Sequence, residues 1–186
     1  MSTNLPALKA LIRARSFAKG DFTLASGKKS SLYFNLKPTM MHPLGANLAG
    51  NAMLDAIANE DVDYVGGLEM GAVPLIAAMA ALSVPRGKPL NTFFVRKKAK
   101  EHGAKQLVEG LAPGESLAGK RVIAAEDVTT TGGSVLQAIE AVREQGGIVT
   151  TVLTLLDRQE GAAEALAEHG LRLISVVTAQ EIAAMA

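Results

Sequence analysis

Two apolar runs without alternation, Val122-Ile123-Ala124-Ala125 and Val149 to Leu156, constrain the fold more than any other feature of this chain. A strand with one solvated face alternates apolar and polar residues, whereas a strand without that alternation is covered on both faces, the pattern of parallel sheets with helices above and below. The surrounding sequence supplies the helices. After an N-terminal segment with Leu5, Leu8, Leu11 and Ile12 at helical spacing, short strands over Asp21–Ser26 and Ser31–Leu36 flank a Gly27-Lys28-Lys29 turn. A helix is then expected over His42–Asn59, a strand over Asp63–Leu68, a helix over Val73–Leu82 and a strand over Thr92–Arg96. Beyond a polar segment, a strand over Arg121–Ala125, a helix over Ser134–Gln145, a strand over Ile148–Leu156, a helix over Ala162–His169 and a strand over Leu171–Val177 complete the order. Such alternation predicts an α/β protein with a mainly parallel central sheet flanked by helices.

With 186 residues the chain is long enough for one self-sufficient domain, and 48% apolar and 20% charged residues give no sign of disorder or of a coiled coil. A formal net charge of +1 offers nucleic acid and anionic membrane nothing to bind, so neither is expected as a partner. The absence of cysteine excludes disulfides, thiolate metal sites and cysteine nucleophiles. The longest apolar stretch, Ala72 to Leu82, contains Pro74 and is too short to span a bilayer, while the N-terminus lacks the continuous apolar core of a signal peptide; a cytoplasmic protein is expected. No linker or repeat interrupts the chain, and the long polar segment Lys97 to Gly110 is a candidate functional loop.

The most informative stretch is Glu126-Asp127-Val128-Thr129-Thr130-Thr131-Gly132-Gly133-Ser134, placed between a buried-looking strand and a helix. Glycines let the backbone approach a ligand closely, and the amides opening the next helix point outward with the positive end of its dipole, so Thr129 to Ser134 should cradle a phosphate. Carboxylates beside such a cradle would repel the phosphate itself; Glu126 and Asp127 are better suited to sugar hydroxyls or a magnesium ion. The alternative is a plain helix cap with solvated acids. Neither common nucleotide fingerprint is present, because no lysine follows a glycine as in a P-loop and the glycines lack dinucleotide-fold spacing.

This stretch closely resembles the 5-phosphoribosyl 1-pyrophosphate (PRPP) motif of the type I phosphoribosyltransferases. The resemblance implies that Glu126 and Asp127 bind the ribose hydroxyls while Val128, Thr129, Thr130, Thr131, Gly132, Gly133 and Ser134 hold the 5-phosphate. It also implies a small N-terminal hood, about residues 1–36, over a core of about 37–186.

Three further segments point within that family. Val95-Arg96-Lys97-Lys98-Ala99-Lys100-Glu101-His102-Gly103 packs five potential cations after a strand, the charge a departing pyrophosphate needs, although a lysine run is often only a solvated surface. It resembles the mobile catalytic loop of the orotate phosphoribosyltransferases, about 97–110 here, which implies that Arg96, Lys97, Lys100 and His102 contact PRPP and that the loop serves the neighbouring subunit of a homodimer. Phe22 to Asn35 resembles the hood of the same family, which implies that Tyr33 and Phe34 lie beside orotate, although alone they read as ordinary strand core. Leu156-Asp157-Arg158-Gln159-Glu160 ends a strand with an arginine; a guanidinium can grip a carboxylate through two parallel hydrogen bonds, and the resemblance implies that Arg158, assisted by Thr130, holds that of orotate.

Gly66-Gly67-Leu68-Glu69-Met70-Gly71-Ala72 occupies the position of the family's pyrophosphate loop. Two departures stand out. A lysine of one family branch is Ala25 here, and a tyrosine-lysine pair is Met70-Gly71, which removes two side-chain contacts to PRPP. Magnesium is expected to travel with PRPP rather than sit in a dedicated protein cage. The competing expectations are a phosphoribosyltransferase for another base and a PRPP-sensing regulator that binds nucleic acid.

Overall fold

The computed structural model describes residues 4–23, 29–98 and 107–185. Helix α1 (Leu5–Ser16) leads into a hairpin of β1 (Phe17–Thr23) and β2 (Lys29–Phe34), followed by the short α2 (Lys37–Met40) and by α3 (Pro43–Ala56). Then come β3 (Tyr64–Leu68), α4 (Ala72–Ser83), β4 (Asn91–Val95), β5 (Val108–Glu109), β6 (Arg121–Thr129), α5 (Gly133–Glu144), β7 (Ile148–Asp157), α6 (Ala162–Glu168), β8 (Arg172–Thr178) and α7 (Ala179–Ala183). Six strands form one sheet in the order β5-β4-β3-β6-β7-β8, and β1 and β2 form a separate antiparallel pair. Every pairing in the large sheet is parallel except β4 with β5. The expected α/β architecture is therefore present, with a mostly parallel sheet between helices.

The apolar run in β6 explains its central place. Val122 and Ala124 pack into one core, with Ala138, Ile139 and Val142 of α5, while Ile123 and Ala125 pack into the other, with Met53 of α3 and Leu75 and Met79 of α4. Successive side chains point to opposite faces of a strand, so a strand covered on both sides loses the apolar-polar alternation. In β7 Val152 faces one side and Leu153 packs into the other, while Val149 joins the core of Val152 because the pairing with β6 shifts register between Val149 and Thr151. Helix α1 packs Leu8 and Ile12, both fully buried, onto the α3 side, and Phe34 of the hairpin joins that core.

Differences from the sequence reading lie where local pattern is weakest. The strand expected to end at Ala125 continues through Thr129, because β7 goes on pairing with it as far as Thr129 opposite Asp157. Glu126 and Asp127 thus belong to the strand instead of following it. The first hairpin strand begins at Phe17 rather than Asp21, and α2, β5 and α7 are elements of two to five residues, too short to show a period. Helix α7 is nonetheless well specified, since Thr178 and Glu181 form a capping box and Glu181 also receives Lys9 of α1 at 2.6 Å.

Candidate active site

The carboxyl ends of β3, β4, β6 and β7 converge, as expected for a ligand site in an open parallel sheet. A cleft of about 390 Å³ opens there, walled by the turn from Leu68 to Gly71, by Lys97 after β4, by Glu126 to Val128 of β6, and by Lys37 and Ser134. A smaller recess of about 40 Å³ continues from it under Thr129 to Gly132, sharing Glu126, Val128 and Ser134 as walls. A third cavity, about 470 Å³, lies at the hairpin among Asp21, Phe22, Lys29, Ser30 and Ser31. A separate apolar cavity near Leu54, Ile57 and Leu90 has its basic side chains already engaged, Arg86 with Asp55 and Asn51 and Lys88 with the carbonyls of Ala58 and Glu60.

The recess is built for an anion. Gly132, the residue before α5, has φ +86°, a conformation that costs glycine little and other residues much. Gly132 has no side chain to cap α5, and among the described residues no other side chain bonds its first-turn amides, which lack intrahelical acceptors by geometry and remain for a ligand.

The two acids are buried, Glu126 at 7% and Asp127 at 9% exposure. The Asp127 amide donates to Glu126 Oε1 at 3.3 Å, while Glu126 Oε2 and Thr129 Oγ1 are buried without a hydrogen-bond partner among the described residues. Burial away from water pushes the Glu126 carboxyl up from its ordinary value to about 8, the charge and side-chain hydrogen bonding of Asp127 push the same way, and the Asp127 amide and Lys97 oppose them. Buried acceptors without donors are what a polyol ligand would satisfy. Among the described residues no three acidic or histidine side chains cluster as a metal cage would require.

Asp127 needs Gly71. A Cβ built at Gly71 would lie 2.4 Å from Asp127 Oδ1, so the glycine of the Met70-Gly71 departure makes room for the acid. Lys97 is drawn to the same cleft, its amide donating to Glu69 Oε1 at 3.0 Å. Arg96 is directed elsewhere: its Nε donates to the Lys98 carbonyl at 3.2 Å and its Nη1 lies 4.0 Å from Glu109. Lys100, His102 and Ala25 lie outside the described residues.

Arg158 follows β7, its amide donating at 2.9 Å to the carbonyl of Thr129, a residue that lines the recess. Gln159 follows in the left-handed region (φ 59°), and its amide donates to Asp157 Oδ1, forming a tight turn at the end of β7. The Arg158 side chain, 8% exposed, reaches the hairpin, donates to Ser30 Oγ at 3.1 Å and forms an ion pair with Glu160 Oε1 at 2.7 Å. Thr130 is half-buried, follows the Thr129 whose carbonyl takes the Arg158 amide, and lines the recess. Tyr33 and Phe34 face opposite ways, as strand neighbours must. Tyr33 is 43% exposed and stacks on Phe22 at 5.2 Å, whereas Phe34 is buried against Phe17 at 5.0 Å. The two rings therefore cannot flank one ligand together. Sequence reasoning gave no role to Lys37, Ser30 or Glu160: Ser30 and Glu160 lie inside the quoted hood and Arg158 segments, while Lys37 is brought to the cleft by chain packing.

Comparison with known proteins agrees with this geometry. Residues 41–180 match the family model of the phosphoribosyl transferase domain. The chain is 59% identical over 174 residues to the orotate phosphoribosyltransferase of Rhodopseudomonas palustris (strain BisB5), covering 94% of this chain and 93% of that one. Two solved structures of the Mycobacterium tuberculosis H37Rv orotate phosphoribosyltransferase superpose closely. The complex with Fe(III) dicitrate has a TM-score of 0.83 at 38% identity, and the complex with PRPP 0.79 at 35% identity, each covering 96% of this chain and 98% of that one.

Proposed function

The chain belongs to the orotate phosphoribosyltransferases, and from that premise we propose how its residues divide the reaction. The enzyme is a pentosyltransferase: it moves the 5-phosphoribosyl group of PRPP to orotate, giving orotidine 5-monophosphate and pyrophosphate. The observation that carries the assignment of roles is the recess at the start of α5, which shares the buried Glu126 with the cleft that holds the buried Asp127.

In this reading the amides and hydroxyls from Thr129 to Ser134 hold the 5-phosphate, and Glu126 and Asp127 accept hydrogen bonds from the ribose hydroxyls. The ring nitrogen of orotate, available as its anion, attacks the anomeric carbon as the bond to pyrophosphate breaks, with inversion and an oxocarbenium-like transition state. No covalent enzyme intermediate is required. Lys97, with Arg96, Lys100 and His102, stabilises the negative charge that grows on the leaving pyrophosphate; the position of Lys97 in the cleft with the acids supports its part. Arg158 and Thr130 hold the orotate carboxylate, and Tyr33 shields the pyrimidine while Phe34 anchors the hood to the core.

Magnesium fits as a passenger of PRPP, since the unpartnered Glu126 Oε2 and its neighbour Asp127 can accept from ribose hydroxyls or from the ion's waters. The ion supplies charge neutralisation on the pyrophosphate. We further propose one domain, with the hood of about 1–36 over the core of about 37–186, and a homodimer in which the segment of about 97–110 closes over the neighbouring site. The place of action is the cytoplasm, in pyrimidine biosynthesis; no helix among the described residues is long and apolar enough to cross a membrane. The test is the absorbance of orotate in the presence of protein, PRPP and magnesium, with uracil, adenine, hypoxanthine and xanthine in parallel. Orotate consumption that needs both additions, with the other bases inert, is expected; PRPP binding without turnover of any base would replace the enzyme with a regulator.

A further inference from the structure

Arg158 is partly spoken for before any substrate arrives. Its Nη2 donates to Ser30 Oγ at 3.1 Å and forms an ion pair with Glu160 Oε1 at 2.7 Å. Among the described residues its Nε and Nη1 have no partner. A guanidinium grips a carboxylate with two parallel bonds along one of two edges, Nη1 with Nη2 or Nε with Nη2, and both edges need Nη2. An incoming carboxylate that takes either edge therefore meets an Nη2 already bonded to Ser30 and paired in charge with Glu160. Ser30 is the firmer partner, since its Oγ also donates to the Leu32 carbonyl at 2.8 Å and receives the Leu32 amide at 3.2 Å. Glu160 has no such tie to β2. Its side chain is 34% exposed, so water can take it up when it leaves, and its negative charge opposes a second carboxylate at the same guanidinium.

We propose that Glu160 is a positioning residue acting through Arg158: an internal carboxylate that occupies the guanidinium in the free enzyme and yields it to an acidic pyrimidine. The proposal rests on the assignment of Arg158 to the substrate carboxylate. Exchange of one carboxylate for another keeps the buried guanidinium paired throughout. A neutral base has nothing to offer in exchange for Glu160, so it gains nothing from Arg158. Glu160 thereby sets how tightly the acid binds, and its removal should tighten that binding without admitting neutral bases.

Three variants decide the matter: Glu160→Gln, Glu160→Ala and Arg158→Gln, each assayed with orotate and with uracil after its melting temperature confirms folding. Both Glu160 variants should lower the orotate KM by about two- to fivefold, the range set by releasing one part-exposed ion pair, while the PRPP KM moves less and uracil stays inert. Arg158→Gln should raise the orotate KM more than about tenfold, since a two-bond charged contact is lost. An orotate KM that is unchanged or raised in the Glu160 variants, with the Arg158 effect present, overturns the competition and leaves the carboxylate assignment standing. An unchanged orotate KM in Arg158→Gln removes that assignment, and the proposal with it.

Discussion

Binding of PRPP should release a proton from Glu126. With its pKa pushed to about 8 by burial and by Asp127, the carboxyl is ionised in only about one free enzyme molecule in ten at pH 7. Accepting two ribose hydroxyls calls for the carboxylate, so the ligand selects the ionised form and about 0.9 proton leaves per site. The apparent PRPP dissociation constant should then rise about ninefold between pH 7 and pH 6, yet change less than about twofold between pH 8 and pH 9. The same shift acts on stability with a definite sign. Because the folded-state pKa lies above the ordinary 4.5, the free protein loses stability as pH rises from near 4.5 to about 8, by up to a few kcal/mol at the upper end. Glu126→Gln, neutral at every pH, should abolish that loss, bind PRPP more weakly, and release only the protons due to the ligand's own phosphates. Calorimetric titrations in two buffers of different ionisation enthalpy count the protons, and thermal melts from pH 5 to pH 9 report stability. Equal proton counts for wild type and Glu126→Gln at pH 7 would refute the reasoning.

Gly71→Ala should push the Asp127 carboxylate aside, since the new methyl would lie 2.4 Å from Oδ1; PRPP affinity should fall at least about tenfold with a melting temperature within a few degrees of wild type, and unchanged affinity would count against Asp127 as a ribose ligand. Phe93→Ala removes a ring that is 1% exposed and packed 6.3 Å from Tyr64, and should cost about 3–5 kcal/mol in denaturant unfolding; a loss below about 1 kcal/mol would mean the core collapses around the gap. Mixing inactive Lys100→Ala and Asp127→Ala proteins should restore part of the activity through dimers that hold one intact site. No recovery after verified subunit exchange would place the loop over its own chain's site.

The central strands, the helix-strand alternation and the acid-threonine-glycine stretch were legible in the chain because each is encoded within about a dozen consecutive residues. Apolar runs report coverage of both strand faces, and glycines before a helix report an anion-binding start, whatever the rest of the molecule does. Tertiary structure decided the remainder through contacts far apart in sequence. The last four residues of β6 became strand because β7 pairs with them, which buried Glu126 and Asp127 and raised the carboxyl of Glu126. The two aromatic residues of β2 were sorted to opposite faces by the pleat, Phe34 into the core and Tyr33 outward. Arg158 could be singled out from the sequence as a carboxylate binder, but its hold on Ser30 joins residues 128 positions apart. Lys37 enters the cleft and Gly71 makes way for Asp127 by the same means. Periodicity and turn chemistry are properties of the local chain, whereas burial, charge coupling and the partners of a side chain exist only after distant segments have packed together.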